Sequence, residues 1–154
     1  MVIHQLTFDE CKAVLARSHV GRLGCARDGQ PYIVPIFLWF DEPSSCLYAF
    51  STVGRKIEWM RRNPKVCVEV EEIADPLHWT TVLVTGRYDE IGDEPESDQL
   101  RRRAQELFEQ KRAWWLPATG HLADGQERDA AVLYRIHIVA VSGRRTTRQS
   151  AGLP

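Results

Sequence analysis

Apolar and polar positions along the chain change their period several times, and each change marks an element. Thr7-Phe8-Asp9-Glu10 reads as a capping box, with the Thr hydroxyl and the Glu carboxylate closing a first helical turn. Phe8, Cys11, Val14 and Leu15 then share one face, which predicts a helix to about Arg17. From Val20 the period shortens to two. Residues 21–27 predict a short strand, Asp28-Gly29 a tight hairpin turn, and residues 31–40 a long apolar strand. The polar run 41–45 is a second turn into a strand at Cys46–Ser51, completing an antiparallel meander.

Thr52-Val53-Gly54 breaks the strand pattern. A short helix follows over Arg55–Arg62, with Ile57 and either Met60 or Trp59 pointing inward, and Asn63-Pro64 stops it. Residues 65–72 alternate with Val66, Val68 and Val70 on one face. Residues 79–91 alternate through Val82, Val84, Gly86 and Tyr88. An acidic stretch with Pro95 near its start opens a helix to about Arg112, its acids placed to suit the helix dipole. Residues 114–128 read as a loop. Residues 131–141 read as a last strand with Val132, Tyr134, Ile136, Ile138 and Ala140 on one side.

Six strands, mostly consecutive and turn-connected, with about three helices, predict a mainly β fold. An antiparallel barrel with short helical attachments fits better than a doubly wound parallel sheet. There are no repeats or linkers, so the expectation is one domain over 1–154, with its core at about 20–143 and a flexible basic tail over 144–154.

Composition narrows the function. The chain has 154 residues, enough for one buried core, and 20 Lys+Arg against 21 Asp+Glu give a net charge of -1. That balance lacks the basic signature of a nucleic-acid binder. The longest apolar stretch, residues 32–40, is too short to span a bilayer and contains Pro35, and the first residues lack the charge and apolar run of an export signal. A cytoplasmic protein with no membrane and no nucleic-acid partner is expected. Cys11, Cys25, Cys46 and Cys67 form no C-x-x-C and sit in apolar segments, as reduced, buried thiols do. The five histidines are scattered, so no metal site is expected. Arg101-Arg102-Arg103 reads as a solvated helix face.

The segment 47–58 carries the most chemistry. A strand ends in Ser51 and Thr52, Gly54 allows a tight turn, and Arg55-Lys56 open a helix. Unpaired helix N-terminal amides suit a phosphate, to which Arg55 offers a bidentate fork and Lys56 a point charge. The plainer reading is that Ser51 or Thr52 caps the helix and both cations are solvated.

Five motifs in register shift that balance. They are Gly21-Arg22-Leu23-Gly24, Gly29-Gln30-Pro31-Tyr32-Ile33-Val34-Pro35-Ile36, and Leu47-Tyr48 with Gly54-Arg55-Lys56-Ile57. The others are Arg62-Asn63-Pro64-Lys65-Val66-Cys67-Val68-Glu69-Val70, and Trp79-Thr80-Thr81-Val82 with Gly86-Arg87-Tyr88-Asp89-Glu90-Ile91. Together they resemble the pyridoxamine 5'-phosphate oxidase-like flavin-nucleotide-binding proteins, in the branch that includes the nitroimidazole-resistance (Nim-type) proteins.

That resemblance implies a six-stranded antiparallel split β-barrel and FMN at the interface of a homodimer, acting on a small-molecule substrate at the flavin face. By position, Arg55 and Lys56 would hold the phosphate, helped by Ser51 or Thr52. The backbone of Ile33, Val34, Pro35 and Ile36 would border the isoalloxazine. Phe50 would lie beside the flavin, Thr81 would reach it from the next strand, and Trp79 with Trp114-Trp115 would wall the pocket. There are two departures. The true oxidase has a Lys where this chain continues Phe37-Leu38-Trp39-Phe40, which speaks against pyridoxamine 5'-phosphate oxidation. Nim-type proteins carry a His at the position of Phe50. Arg135-x-His137 echoes an oxidase motif but falls in an alternating strand, as an outward face. Three alternatives stay open: a non-enzymatic flavin carrier or redox sensor, the same fold with deazaflavin or with haem on His78 or His137, and a cofactor-free binding barrel.

Overall fold

Inward-facing valines, leucines and isoleucines set the register of a strongly curved antiparallel sheet. The computed structural model describes residues 1–110 and 132–147. Its strands are β1 (Val2–Gln5), β2 (Val20–Arg27), β3 (Gln30–Phe37), β4 (Trp39–Asp41), β5 (Cys46–Ser51), β6 (Lys65–Asp75), β7 (His78–Ile91) and β8 (Val132–Thr147). They run in the order β3-β2-β6-β7-β8-β5-β4, with β1 added on β8, so β3 and β4 end the path among the described residues. Helices are α1 (Phe8–Arg17), α2 (Arg55–Arg62) and α3 (Asp98–Gln110), the last preceded by a 3-10 turn at Pro95–Ser97.

The local signals act as read. The capping box forms, Glu10 N–H donating to Thr7 Oγ1 at 3.3 Å and Thr7 N–H to Glu10 Oε2 at 2.8 Å. Asp28 and Gly29 both take positive φ, 51° and 78°, as a two-residue hairpin turn of the primed type requires.

Eight strands replace the six expected, for two reasons. The 31–40 run breaks at Leu38, whose side chain is fully buried and whose N–H makes the last bond of the β2–β3 register, to the His19 carbonyl at 3.0 Å, before Trp39–Asp41 turn to pair with β5. That separates β3 from β4. β1 has no buried residue, hence no alternation to read, and is held by pairing Val2 to Thr147 through Gln5 to Arg144. The same pairing corrects the expected tail: residues 144–147 are strand, bonded to β1 and, through Arg144 and Arg145, to β7. A register shift in the β7–β8 ladder turns Ala140 outward, against the expected alternation.

Two cores result. The barrel interior packs Leu23, Val68, Val84 and Ile136 with Val14 and Leu15 of α1 and Ile57 and Met60 of α2. The other, under α3, joins Trp39, Cys46, Tyr48 and Ile91 to Ala104 and Leu107. β5 serves both, sending Leu47 and Ala49 into the barrel and Cys46, Tyr48 and Phe50 toward α3. Each such buried aliphatic contributes about 1.5–3 kcal/mol.

The arginine triplet departs from the solvated reading. Arg103 donates from Nη2 and Nε to the Oδ1 of Asp41 at 2.6 and 3.1 Å, and Asp41 is only 3% exposed. Arg101 bonds the Gly92 carbonyl at 3.1 Å and pairs with Asp93. Cys11, Cys25 and Cys46 are buried free thiols, but Cys67 is exposed, since it sits on the outer parity of β6.

Candidate functional site

The start of α2 supplies the concentrated positive charge. Its N-cap is Gly54, in extended backbone and with no side-chain cap. Neither Ser51 nor Thr52 caps it: the Ser51 hydroxyl donates to the Thr52 carbonyl at 2.9 Å. The first amides of α2 are therefore left without a side-chain acceptor. Arg55 is exposed and lies over the ring of Tyr32, 5.4 Å from its centroid; Tyr32 in turn packs on Trp59, 5.6 Å away and tilted 58°. The stack holds the guanidinium beside the helix start at small conformational cost.

Lys56 is half-buried, and burial lowers its pKa; the nearby Cys25 acts the other way. Among the described residues neither Arg55 nor Lys56 forms an ion pair with a carboxylate. Cys25 is raised by burial and by Cys67, and lowered by Lys56. It also lies within electrostatic reach of Tyr134, whose buried hydroxyl has no hydrogen-bond partner among the described residues. The barrel end beneath α2 thus gathers Lys56, Cys25 and the Tyr134 hydroxyl, with no carboxylate paired to Lys56 among the described residues.

β3 forms the adjoining edge. Pro31 and Pro35 lack N–H groups and fall on one parity, so strand alternation puts the Ile33 main chain on the side not needed by β2. Ile33 is 67% exposed, while Ile36 points into the core. On the outer sheet face, the small Gly24 and Ala26 of β2 leave a groove of about 550 Å³ between Pro31 and Ile33 on one side and Lys65 and Cys67 on the other. A Cβ on Gly24 would lie 2.7 Å from Cys67 Sγ, so a side chain there would displace that thiol and narrow the groove.

The remaining candidates lie elsewhere. Phe50 stacks on Trp39 at 6.0 Å and meets Phe108 edge-on at 5.2 Å, within the α3 core. Thr81 sits on the outer face, paired between Glu71 of β6 and Arg144 of β8. Trp79 lines a separate recess of about 450 Å³ with Ile73, His78, Thr80, Arg145 and Thr146. There His78 Nδ1 contacts Asp75 Oδ2 at 2.7 Å. Trp114 and Trp115 lie outside the described residues. Sequence reasoning missed Tyr32 as the support of Arg55; the aromatic in the Pro31-Tyr32-Ile33 edge was its only signal.

Comparisons with known proteins bear on the fold and the family. Residues 7–145 match the family described as pyridoxamine 5'-phosphate oxidase. The protein RA0666 of Rhizobium meliloti strain 1021, itself uncharacterized, is 42% identical over 117 residues, 76% of either chain. An FAD-binding protein from Mesorhizobium loti is 41% identical; its crystal structure superposes with a TM-score of 0.79 over 96% of this chain and 100% of that one. A candidate 5-nitroimidazole antibiotic resistance protein from Bacteroides thetaiotaomicron shares the fold at 15% identity, with a TM-score of 0.65 over 94% of this chain and 89% of that one. With residues 7–145 matched, a relative above 40% identity aligned along nearly its whole length and a split antiparallel barrel in hand, the chain belongs to the pyridoxamine 5'-phosphate oxidase family.

Proposed function

We propose that this chain binds a flavin nucleotide, as FMN, with its phosphate at the start of α2, and works as a flavin-dependent oxidoreductase on a small molecule. The observation that carries the reading is a half-buried lysine with no carboxylate partner among the described residues, beside a helix start with no side-chain cap. A phosphate supplies the missing charge to Lys56, a fork partner to Arg55 and acceptors for the open amides. The bound flavin would supply the hydride and electron chemistry. The chain's part is to anchor the phosphate and to offer the β3 edge main chain to the polar rim of the ring.

The FAD-binding relative supports a flavin and favours one specific variant, FAD, which carries the same FMN unit with an added nucleotide. Thr81 and Trp79 stand away from Arg55, on the outer sheet face and in a separate recess. They meet a flavin only when a second copy brings it, so a homodimer with the cofactor at its interface is part of the proposal. The cytoplasm, where the thiols stay reduced, is the compartment that fits four free cysteines. Among the described residues no helix is long and apolar enough to cross a membrane.

The test is the absorbance spectrum of the purified protein before and after titration with FMN and with FAD, followed by gel filtration. Flavin bands travelling with a dimer, and lost in the Arg55→Ala/Lys56→Ala double variant, support the reading. No retained flavin and no titration shift with either nucleotide would sink it. The nucleotide released on denaturation separates FMN from FAD.

A further inference from the structure

Away from α2, three strands bring a thiol, an imidazole and a carboxylate into line. The β5–β8 register sets Cys46 directly opposite His137, and the β7–β8 register sets Asp89 opposite Arg135. Cys46 Sγ lies 3.3 Å from His137 Nδ1, and His137 Nε2 lies 3.3 Å from Asp89 Oδ2. The same carboxylate oxygen accepts Arg135 Nε at 2.8 Å. A nucleophile, a base and a group that orients the base thus stand within hydrogen-bond reach of one another. With the Nε2 proton directed at Asp89, Nδ1 is an acceptor for the thiol proton, beside the Ser44 carbonyl, which also lies 3.3 Å from Sγ.

The surroundings explain why a base is needed. Burial pushes the Cys46 thiol up, Asp41 and Asp89 push it the same way, and Ser44 and Arg135 oppose them, with the net shift upward. Of the four cysteines, Cys46 alone has an imidazole in hydrogen-bond contact among the described residues. Cys46 has no exposed surface, whereas the His137 side chain is 43% exposed. Burial of this kind favours oxidation by a reagent as small as hydrogen peroxide over alkylation by a bulkier one.

We propose that Cys46 is a hydroperoxide-oxidised thiol, with His137 as its base and Asp89 and Arg135 as positioning residues. His137 Nδ1 takes the thiol proton. The sulfur then bonds to one peroxide oxygen as the O–O bond breaks, and the leaving oxygen recovers the proton from Nδ1. With hydrogen peroxide the products are a sulfenic acid and water: sulfur gives up two electrons and the peroxide takes them. This site is independent of the flavin reading.

The experiment exposes the folded full chain to hydrogen peroxide, removes the peroxide, unfolds the chain in denaturant containing dimedone to trap sulfenic acid at buried positions, and maps the adduct by peptide mass spectrometry, with iodoacetamide labelling of the folded chain in parallel. Iodoacetamide should mark Cys67 first. The peroxide-dependent adduct should fall on Cys46, persist in Cys67→Ser, and form on the order of a hundredfold more slowly in His137→Gln. Asp89→Asn should slow it less, with a thermal midpoint close to the parent's. Adducts confined to Cys67, or equal Cys46 rates in the parent and His137→Gln, overturn the proposal. Should His137→Gln fail to fold, an unchanged rate in Asp89→Asn overturns it and a slowed rate supports it.

Discussion

The cations at the start of α2 and the arginines of α3 are used in opposite ways, although Arg61 at the far end of α2 is paired with Glu90. Arg103 of α3 reaches a carboxylate that is 3% exposed, and burial, which alone would raise Asp41, is outweighed by the Arg103 and Ser44 hydrogen bonds that leave it lowered. Arg55 and Lys56 of α2 meet no carboxylate among the described residues, and burial lowers Lys56. In α3 the charge is committed to holding a helix on an aromatic core. In α2 it is kept at some cost in desolvation, which is what a site for an anion needs. The contrast separates charges that make the fold from those the proposed phosphate site would use.

Changes at the two helices sharpen that comparison. The largest effect is expected from Leu107→Ala, which empties the α3 core beside Trp39 and should lower unfolding free energy by about 3 kcal/mol in urea titrations. Flavin binding at α2 should be unchanged. Next, Arg55→Ala/Lys56→Ala removes two charge-assisted contacts and should weaken flavin binding about a hundredfold, near 3 kcal/mol. The unfolding midpoint of the flavin-free protein should not fall. A destabilised double variant would mean that these cations serve the fold.

Arg103→Met leaves Asp41 buried with only Ser44 and should cost about 2 kcal/mol, less than a fully buried pair because Arg103 is partly exposed. Its pH dependence has a definite sign. Asp41 is held below its ordinary value, so its pairing contributes fully above the unfolded carboxylate pKa and is lost as pH falls through the lower folded value. The gap between parent and Arg103→Met should therefore close below about pH 4. The smallest effect is Lys56→Met alone. With a half-buried cation gone, the flavin-free protein should be as stable as the parent or more so, within about 0.5 kcal/mol, while flavin affinity drops.

What was legible follows from range. The capping box at Thr7, the Asp28-Gly29 turn and the inward valines of β6 are local signals, and each formed where it was read. β1 was not legible, because with no buried residue it carries no period and exists through its partner. The 31–40 strand was misread as one because its break is a change of partner, from β2 up to Phe37 to β5 from Trp39, which the run itself does not show. The motif residues Arg55 and Lys56 came from sequence. The Tyr32 support, the Asp41–Arg103 pair and the Cys46–His137–Asp89 line join segments 23, 62 and more than 40 residues apart, which no window along the chain contains.

The sequence by itself determined the class of the fold, most of the elements and the family, because alternation, turn chemistry and short motifs act over a few neighbouring residues. Tertiary structure decided which cations remain without a carboxylate, which cysteine faces an imidazole and which is exposed, and how β5 divides its side chains between two cores. Those outcomes depend on strand register and on helix docking. A shift of one residue in either would exchange the buried and exposed faces, and the composition of the chain would be the same.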